Sequence, residues 1–211
     1  TLENIVNTNL FDAVYVVTDS QIIYDHLKQF HQNVLISNNE HISGSDRIAE
    51  FAQEMEVDII INVQGDEPFI DTKSIRKLID VFSNDDNKEI DLASLMEEIK
   101  DESEINDPNT VKVIVDSNNF AIYFSRHSIP YNKSNKEIKY HKHIGVYAFR
   151  KNALIEFYNS TPSTLETIEN LEQLRYFQKV KNIKIVLNNF SSIEIDTMQD
   201  LNKARLQNDK N

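Results

Sequence analysis

Seven consecutive residues, Asn62 to Pro68 (NVQGDEP), place amides, a glycine and two carboxylates at the end of an apolar run. An aspartate just past a buried strand is well placed to hold a hard cation, because Mg²⁺ prefers one or two carboxylates together with phosphate oxygens and water. Gln64 offers a donor and an acceptor to a sugar or a base, and Gly65 lets a nucleotide approach the backbone. A polar strand-to-helix turn with Asp66 or Glu67 near a helix N-terminus explains the same residues without a ligand.

A second acidic step, Ile195-Asp196-Thr197, follows a short apolar stretch near the C-terminus. If its strand neighbours the one that ends at Asp66, the two aspartates can share one Mg²⁺ across a cleft. The alternative is that Asp196 or Thr197 caps the last helix.

The segment Ser43 to Arg47 (SGSDR) combines small hydroxyl residues, a glycine and an arginine at a predicted helix start. This composition fits a pocket for a base or a phosphate, although helix capping accounts for most of it. The chain has three glycines, Gly44, Gly65 and Gly145, each among polar residues beside an apolar run. We expect such a glycine to serve either a positive φ angle or the close approach of a ligand.

The segment Tyr123 to Arg126 (YFSR) precedes His141, His143 and Tyr147. Arg126 can bind a carboxylate through two parallel hydrogen bonds. Because His141 and His143 alternate along a strand, they point to opposite faces, so at most one faces a cleft and no metal site from both is expected. An exposed histidine without a ligand is the alternative for either residue.

No nucleophile stands out, because the chain has no cysteine and no serine in a nucleophile-elbow pattern. The chemistry that remains is the positioning of substrates together with charge neutralisation, as in transfer to phosphorus.

The elements that must position these residues alternate in type. Apolar runs at Ala13–Thr18, Val34–Ile36 and Ile59–Val63 predict strands, and helical spacing predicts a helix after each of them. This order indicates an α/β fold, with an open, mostly parallel sheet and helices on both faces. Ligands bind outside the carboxyl edge of such a sheet, so Asp19 and Asp66 are expected to share a cleft.

The middle of the chain changes character. Strand-like segments follow one another with little helix between them, which predicts a small antiparallel region at about 100–150 within a single domain of residues 1–211; the segments are Leu92–Met96, Val111–Val115, Ala121–Ser125 and Ile144–Phe149. The apolar spacing over Leu165–Phe177 predicts one amphipathic helix.

Composition narrows the class of protein. The absence of cysteine excludes disulfides and thiolate metal sites. A net charge of −12 argues against nucleic acid and membrane surfaces as partners. No apolar run approaches the length that spans a bilayer, and nothing near Thr1 resembles a signal peptide, so a cytoplasmic enzyme is expected.

Taken together, the motifs resemble the 3-deoxy-manno-octulosonate (Kdo) cytidylyltransferases, also called CMP-Kdo synthetases. All three glycines fall inside the blocks that carry this resemblance, which are Val17–Asp19, Ser43–Glu50, Ile61–Pro68, Asn109–Val113, Ala121–Pro130, His143–Tyr147, Leu171–Arg175 and Ile195–Thr197.

The resemblance implies a Rossmann-like fold of the nucleotide-diphospho-sugar transferase type and the transfer of CMP from CTP to Kdo, for lipopolysaccharide biosynthesis. It implies Mg²⁺ as cofactor, bound by Asp66 and Asp196, and a homodimer formed partly through the antiparallel region. By the same resemblance the CTP side consists of Asp19, Ser43, Gly44 and Arg47, and the Kdo side of Gln64, Arg126, His143, Tyr147, Glu169 and Gln173.

The chain departs from the family at its start. Family members begin with a strand and a loop whose Arg and Lys side chains hold the triphosphate, and this chain begins in the following helix, so about 30 residues are expected to be missing from it. Two alternatives therefore stay open. One is a cytidylyltransferase for another acidic sugar, a sialic acid or an amino-Kdo, and the other is a non-catalytic remnant that binds CTP or dimerises.

Overall fold

The computed structural model describes residues 1–177, 182–189, 194–195 and 197–208. Along these residues the helices and strands are, in chain order, α1 Leu2–Asn7, β1 Val16–Thr18, α2 Gln21–Leu27, β2 Val34–Ile36, α3 Gly44–Ala52, β3 Ile59–Val63, α4 Thr72–Ser83, β4 Leu92–Glu98, α5 Glu102–Ile105, β5 Lys112–Val115, β6 Ala121–Ser125, β7 His141–Arg150, α6 Lys151–Tyr158, α7 Thr164–Glu169, α8 Leu174–Phe177, β8 Ile183–Asn188 and α9 Met198–Asn208.

The larger sheet is built around one long reversed strand, β7. It pairs antiparallel with β3 on one side and with β4 on the other, and β5 pairs antiparallel with both β7 and β6. β4 and β8 pair parallel. Hence β3, β4, β5 and β8 share one direction while β6 and β7 oppose it, and the predicted α/β fold with mostly parallel strand directions is confirmed.

Two apolar clusters lie on the two faces of this sheet. Strand β4 alternates between them, because Leu92 and Met96 join the cluster beneath α3 and α6, whereas Ala93 and Leu95 join the cluster beneath α4. The sequence of helix α4 explains where it begins and which face it buries. Its apolar face, Ile75, Leu78 and Phe82, is buried and Asp71 accepts a hydrogen bond from the Ser74 N–H at 2.8 Å as its N-cap.

The strands that precede Asp19 and Asp66 are not paired with each other in the part of the chain that the structure describes. β1 and β2 form a separate parallel pair, and no described residue links β1 to β3 by strand hydrogen bonds. Asp19 therefore follows a strand of the small sheet, and Asp66 follows a strand of the large one. That the two aspartates share a cleft therefore stays a prediction, because two strand ends can face one cleft without their strands being paired.

The predicted single helix over Leu165–Phe177 is wrong. The chain forms two short helices, α7 and α8, because Asn170 adopts a left-handed conformation with φ of 52° at the end of α7. Asn tolerates this conformation better than most residues. Apolar spacing continues across the break, so periodicity alone did not reveal it.

Candidate active site

The turn after β3 carries Gln64, Gly65 and Asp66 beyond the end of the sheet. The Glu67 N–H donates to the Gln64 carbonyl at 3.2 Å, which closes the turn. The Ile195 N–H donates to the Asp66 carbonyl at 3.0 Å, so the residue that precedes Asp196 lies beside Asp66. Asp196 itself lies outside the described residues.

Four predicted sugar-side residues come together on one face of the sheet. The rings of His143 and Tyr147, both on β7, lie 5.3 Å apart between centroids. The Tyr147 hydroxyl donates to Gln173 Oε1 at 3.3 Å. A Cβ atom at Gly145 would lie 3.6 Å from Gln64 Nε2, so Gln64 packs against the same stretch of β7.

Burial keeps two side chains of this face, His143 and Tyr147, uncharged. It lowers the pKa of His143 to about 3 and raises that of the Tyr147 phenol well above its usual value. His143 packs edge-on against Phe124 with centroids 5.1 Å apart, and its Nε2 lies 2.8 Å from Ser94 Oγ. The alternative of an exposed histidine is therefore wrong for His143, which is a neutral hydrogen-bonding group.

The predicted nucleotide-side residues lie around the start of α3. Ser43 Oγ accepts from the Asp46 N–H at 3.2 Å as the N-cap, and Gly44 follows it with open space beside its Cα. Arg47 Nη2 donates to Asp19 Oδ2 at 2.6 Å, so a residue of α3 reaches the end of β1. None of the three glycines has a positive φ angle, so that alternative is wrong for them. The other alternative, the close approach of a ligand, stays a prediction.

The loop that leads into Ser43 is held from α3 by Glu50. Its carboxylate accepts from Ser37 Oγ at 2.6 Å and from Asn39 Nδ2 at 2.5 Å, and it lies 2.8 Å from His41 Nε2. The hydrogen bond from Ser37 is the largest cause of the lowered pKa of Glu50. The helix that carries Ser43 thus also fixes the loop before it.

Arg126 and Glu169 contact each other at the end of β6. The Glu169 carboxylate accepts from Ser125 Oγ at 2.7 Å and from the Arg126 N–H at 2.9 Å. The Arg126 guanidinium donates to three backbone carbonyls, those of Glu169, Pro108 and Asn170. Three of its five N–H groups are thereby used, which leaves one on each Nη atom for a ligand.

Sequence reasoning missed Glu172, which joins the two halves of the site. Its carboxylate accepts from Ser45 Oγ at 2.9 Å and from the Ser45 N–H at 3.3 Å, at the start of α3. Burial raises its pKa. Since Glu172 precedes Gln173, it connects the nucleotide-side helix to the sugar-side face, and its place in a block of acidic and amide residues was the one available signal.

A buried ion cluster fixes this junction. Arg175 donates from Nη1 to Asp46 Oδ1 at 2.8 Å and from Nε to Glu166 Oε2 at 2.8 Å, and it lies over the Phe157 ring at 3.9 Å. The cluster joins α3, α7 and α8. The arrangement offers uncharged hydrogen-bonding groups beside His143 and Tyr147, and charged groups at Asp66 and at Arg47.

Comparison with known proteins identifies the family. The family profile described as cytidylyltransferase matches residues 1–183. The chain belongs to the cytidylyltransferase family. This cytidylyltransferase is 51% identical over 206 residues to the 3-deoxy-manno-octulosonate cytidylyltransferase of Flavobacterium johnsoniae, an alignment that covers 97% of the chain and 84% of the relative. It is 37% identical over 194 residues to the 8-amino-3,8-dideoxy-manno-octulosonate cytidylyltransferase of Shewanella baltica, which covers 90% of the chain and 79% of that relative.

A solved structure agrees with these relatives. The cytidylyltransferase superposes with a TM-score of 0.90 and 32% identity on a CMP:2-keto-3-deoxy-manno-octonic acid synthetase complexed with CTP, over 99% of this chain and 85% of that one. In the part of the chain that the structure describes, no helix is long and apolar enough to cross a membrane.

Proposed function

We propose that this chain transfers CMP from CTP to Kdo and releases pyrophosphate. The observation that carries the proposal is the 51% identity to a 3-deoxy-manno-octulosonate cytidylyltransferase along almost the whole chain. In this reaction the anomeric hydroxyl oxygen of Kdo bonds to the α-phosphorus of CTP. The bond from that phosphorus to pyrophosphate breaks, and the hydroxyl proton leaves to solvent. We propose that residues 1–211 act as one domain in this reaction, in the cytoplasm.

The face that carries His143 and Tyr147 is our proposed Kdo side. Gln64, His143, Tyr147 and Gln173 offer uncharged donors and acceptors, which suit the hydroxyl groups of a sugar. The two remaining N–H groups of Arg126 suit its carboxylate, in the bidentate geometry that arginine favours, and Glu169 holds Arg126 in place.

The start of α3 is our proposed CTP side. The Ser45 and Asp46 N–H groups already donate to Glu172 and Ser43, so the helix start meets CTP at Gly44, through its backbone N–H and the open space beside its Cα. Arg47 is partly exposed and already oriented by Asp19, so its positive charge can approach a phosphate from the end of β1.

Mg²⁺ fits the chemistry of the turn after β3. Asp66 supplies a hard oxygen ligand, and the Ile195–Asp66 hydrogen bond supports Asp196 as the second. The described residues contain no group of three His, Cys, Asp or Glu side chains that could hold a metal unaided. Mg²⁺ does not need one, because phosphate and water complete its shell. When bound, the ion would neutralise phosphate charge.

We further propose that the chain forms a homodimer through its antiparallel region. β6 lies at an edge of the large sheet, and Ile122 on that strand is 55% exposed. An edge strand that exposes apolar side chains is a ready surface for a second copy of the chain. The second candidate function, transfer to 8-amino-Kdo, rests on the 37% identical relative from Shewanella baltica.

The acceptor is tested by pyrophosphate release from CTP and Mg²⁺, with the protein at its natural length. Kdo, 8-amino-Kdo and a sialic acid are offered separately. We expect kcat/KM for Kdo to exceed that for either other sugar by about tenfold or more, the range of one well-placed polar contact. A higher kcat/KM with 8-amino-Kdo would favour the second candidate. CTP binding without pyrophosphate release in the presence of any of the three sugars would favour a non-catalytic protein.

A further inference from the structure

Ser94 is a fully buried hydroxyl residue in the middle of β4, and the proposed function leaves it without a role. It pairs with Tyr147 at the point where the register between β4 and β7 shifts. Its Oγ atom lies 2.8 Å from the Val146 carbonyl oxygen, 3.2 Å from the Ile144 carbonyl oxygen and 2.8 Å from His143 Nε2.

These distances fix where the protons lie. Two oxygens 2.8 Å apart need a proton between them, and a carbonyl oxygen has none to give. The single hydroxyl proton of Ser94 therefore lies on the Val146 side. The contact of Ser94 Oγ with His143 Nε2 then requires the proton of the ring, so Nε2 donates and Ser94 accepts.

A neutral imidazole carries one proton, so Nδ1 of His143 is left with a bare lone pair. Burial supports this state, because it lowers the pKa of His143 to about 3 and keeps the ring uncharged at neutral pH. The Phe124 and Tyr147 rings lie 5.1 and 5.3 Å from the imidazole between centroids, which holds its orientation. Among the described residues, none donates a hydrogen bond to Nδ1.

We propose that Ser94 is a positioning residue that fixes His143 in the Nε2–H tautomer, so that Nδ1 accepts a hydrogen bond from a hydroxyl of the acceptor sugar. This inference rests on the proposed function and deepens it. A nitrogen that only accepts hydrogen bonds cannot bind the sugar carboxylate, because a carboxylate has no proton to donate. Nδ1 of His143 is therefore expected to contact a hydroxyl of the sugar, and a cationic side chain to contact the carboxylate. Ser94 acts through His143 and touches no substrate.

The tautomer is measured directly by long-range ¹H–¹⁵N correlation spectra of the ¹⁵N-labelled protein, with the His143 signals assigned from a His143→Gln variant. We expect protonated Nε2 and bare Nδ1 in the wild type. Kdo should shift the Nδ1 resonance, and CTP alone should not. A proton on Nδ1 in the wild type would overturn the proposal, and so would an Nδ1 resonance that saturating Kdo leaves unmoved.

Steady-state kinetics distinguish a Ser94 that positions His143 from a Ser94 that only stabilises the fold. Ser94→Ala should raise KM for Kdo about tenfold and leave KM for CTP unchanged, because one hydrogen bond that orients the ring is lost. Ser94→Thr keeps the hydroxyl, so His143 should have the Nε2–H tautomer in this variant as in the wild type. Ser83→Ala, which removes an exposed helix hydroxyl, is the matched control. Equal rises in both KM values would contradict the inference.

Failure of the proposed function and failure of the Ser94–His143 assignment give different results. If the wild type releases no pyrophosphate with Kdo, the proposed function fails, and the sugar contact of Nδ1 fails with it. The spectra still decide the Ser94–His143 assignment in that case, because the tautomer is read without any turnover.

Discussion

The imidazole of His143 has its chemistry set by what surrounds it. Aromatic rings pack against it and Ser94 occupies one of its nitrogens, so it remains neutral where an exposed histidine would begin to gain a proton. Tyr147 is likewise kept protonated by burial. A ligand that contacts His143 and Tyr147 meets uncharged hydrogen-bonding groups. Such groups bind hydroxyls of the ligand more favourably than charged groups.

The depressed pKa of His143 predicts how stability changes with pH. The unfolded chain gains a proton here below about pH 6.5, whereas the folded protein resists it until about pH 3. The free energy of unfolding should therefore fall as pH drops from 6.5, by at most about 1.4 kcal/mol per pH unit from this group. Urea unfolding at pH 7, 6 and 5 should show this loss in the wild type and a smaller one in His143→Gln. Equal slopes in the two proteins would contradict it.

At the scale of elements, the site depends on contacts between segments that are far apart in the chain. Arg175 on α8 binds Asp46 on α3, 129 residues away, and Glu166 on α7. Because Glu172 lies three residues before Arg175 and bonds to Ser45, this cluster sets the spacing between the nucleotide-side and sugar-side groups.

Removing the cation from this cluster should be costly. Arg175→Met leaves two buried carboxylates without their partner, and we expect a loss of about 3–5 kcal/mol in the free energy of unfolding. Thermal and urea unfolding measure it. Lys139→Met, which breaks the exposed pair with Glu98, is the control and should cause no measurable change. An Arg175→Met protein as stable as the control would show that the cluster is not needed for the fold.

The sequence predicted local features of the site better than distant ones. The turn after β3 was predictable, because an apolar run ends there in a polar segment with an aspartate. The insertion of β7 between β3 and β4 was not, since β7 pairs with strands far earlier in the chain, β3 by more than 80 residues and β4 by more than 40. Glu172 was missed because its role depends on a contact with Ser45, which is 127 residues away in the chain. The break at Asn170, which sets the orientation of the residues after it, lies inside an uninterrupted apolar pattern.

At the scale of the whole molecule, the large sheet ends on one side in β6, an edge strand that exposes Ile122. The proposed homodimer assigns this edge to a second copy of the chain. Burying this edge would remove apolar surface from water, and an edge strand can pair with another chain.

A charge on this edge should therefore weaken self-association. Ile122→Asp should raise the dimer dissociation constant by about tenfold or more, as expected when a charge is buried in an apolar contact. Sedimentation velocity over a range of concentrations measures it. Ile22→Asp, on the exposed face of α2, is the matched control and should leave the constant unchanged. A wild type that stays monomeric at all concentrations would refute the assignment of this edge.

The central claim is that the chain forms a bond between CMP and Kdo, and the most direct measurement is ³¹P NMR of the reaction mixture with CTP, Kdo and Mg²⁺. The account predicts a new phosphodiester signal and free pyrophosphate in equal amounts. Both should depend on Kdo, disappear on chelation of the metal, and fall at least about a hundredfold in Asp66→Asn. Free CMP and pyrophosphate without the phosphodiester, or an Asp66→Asn protein that works as well as the wild type, would contradict it.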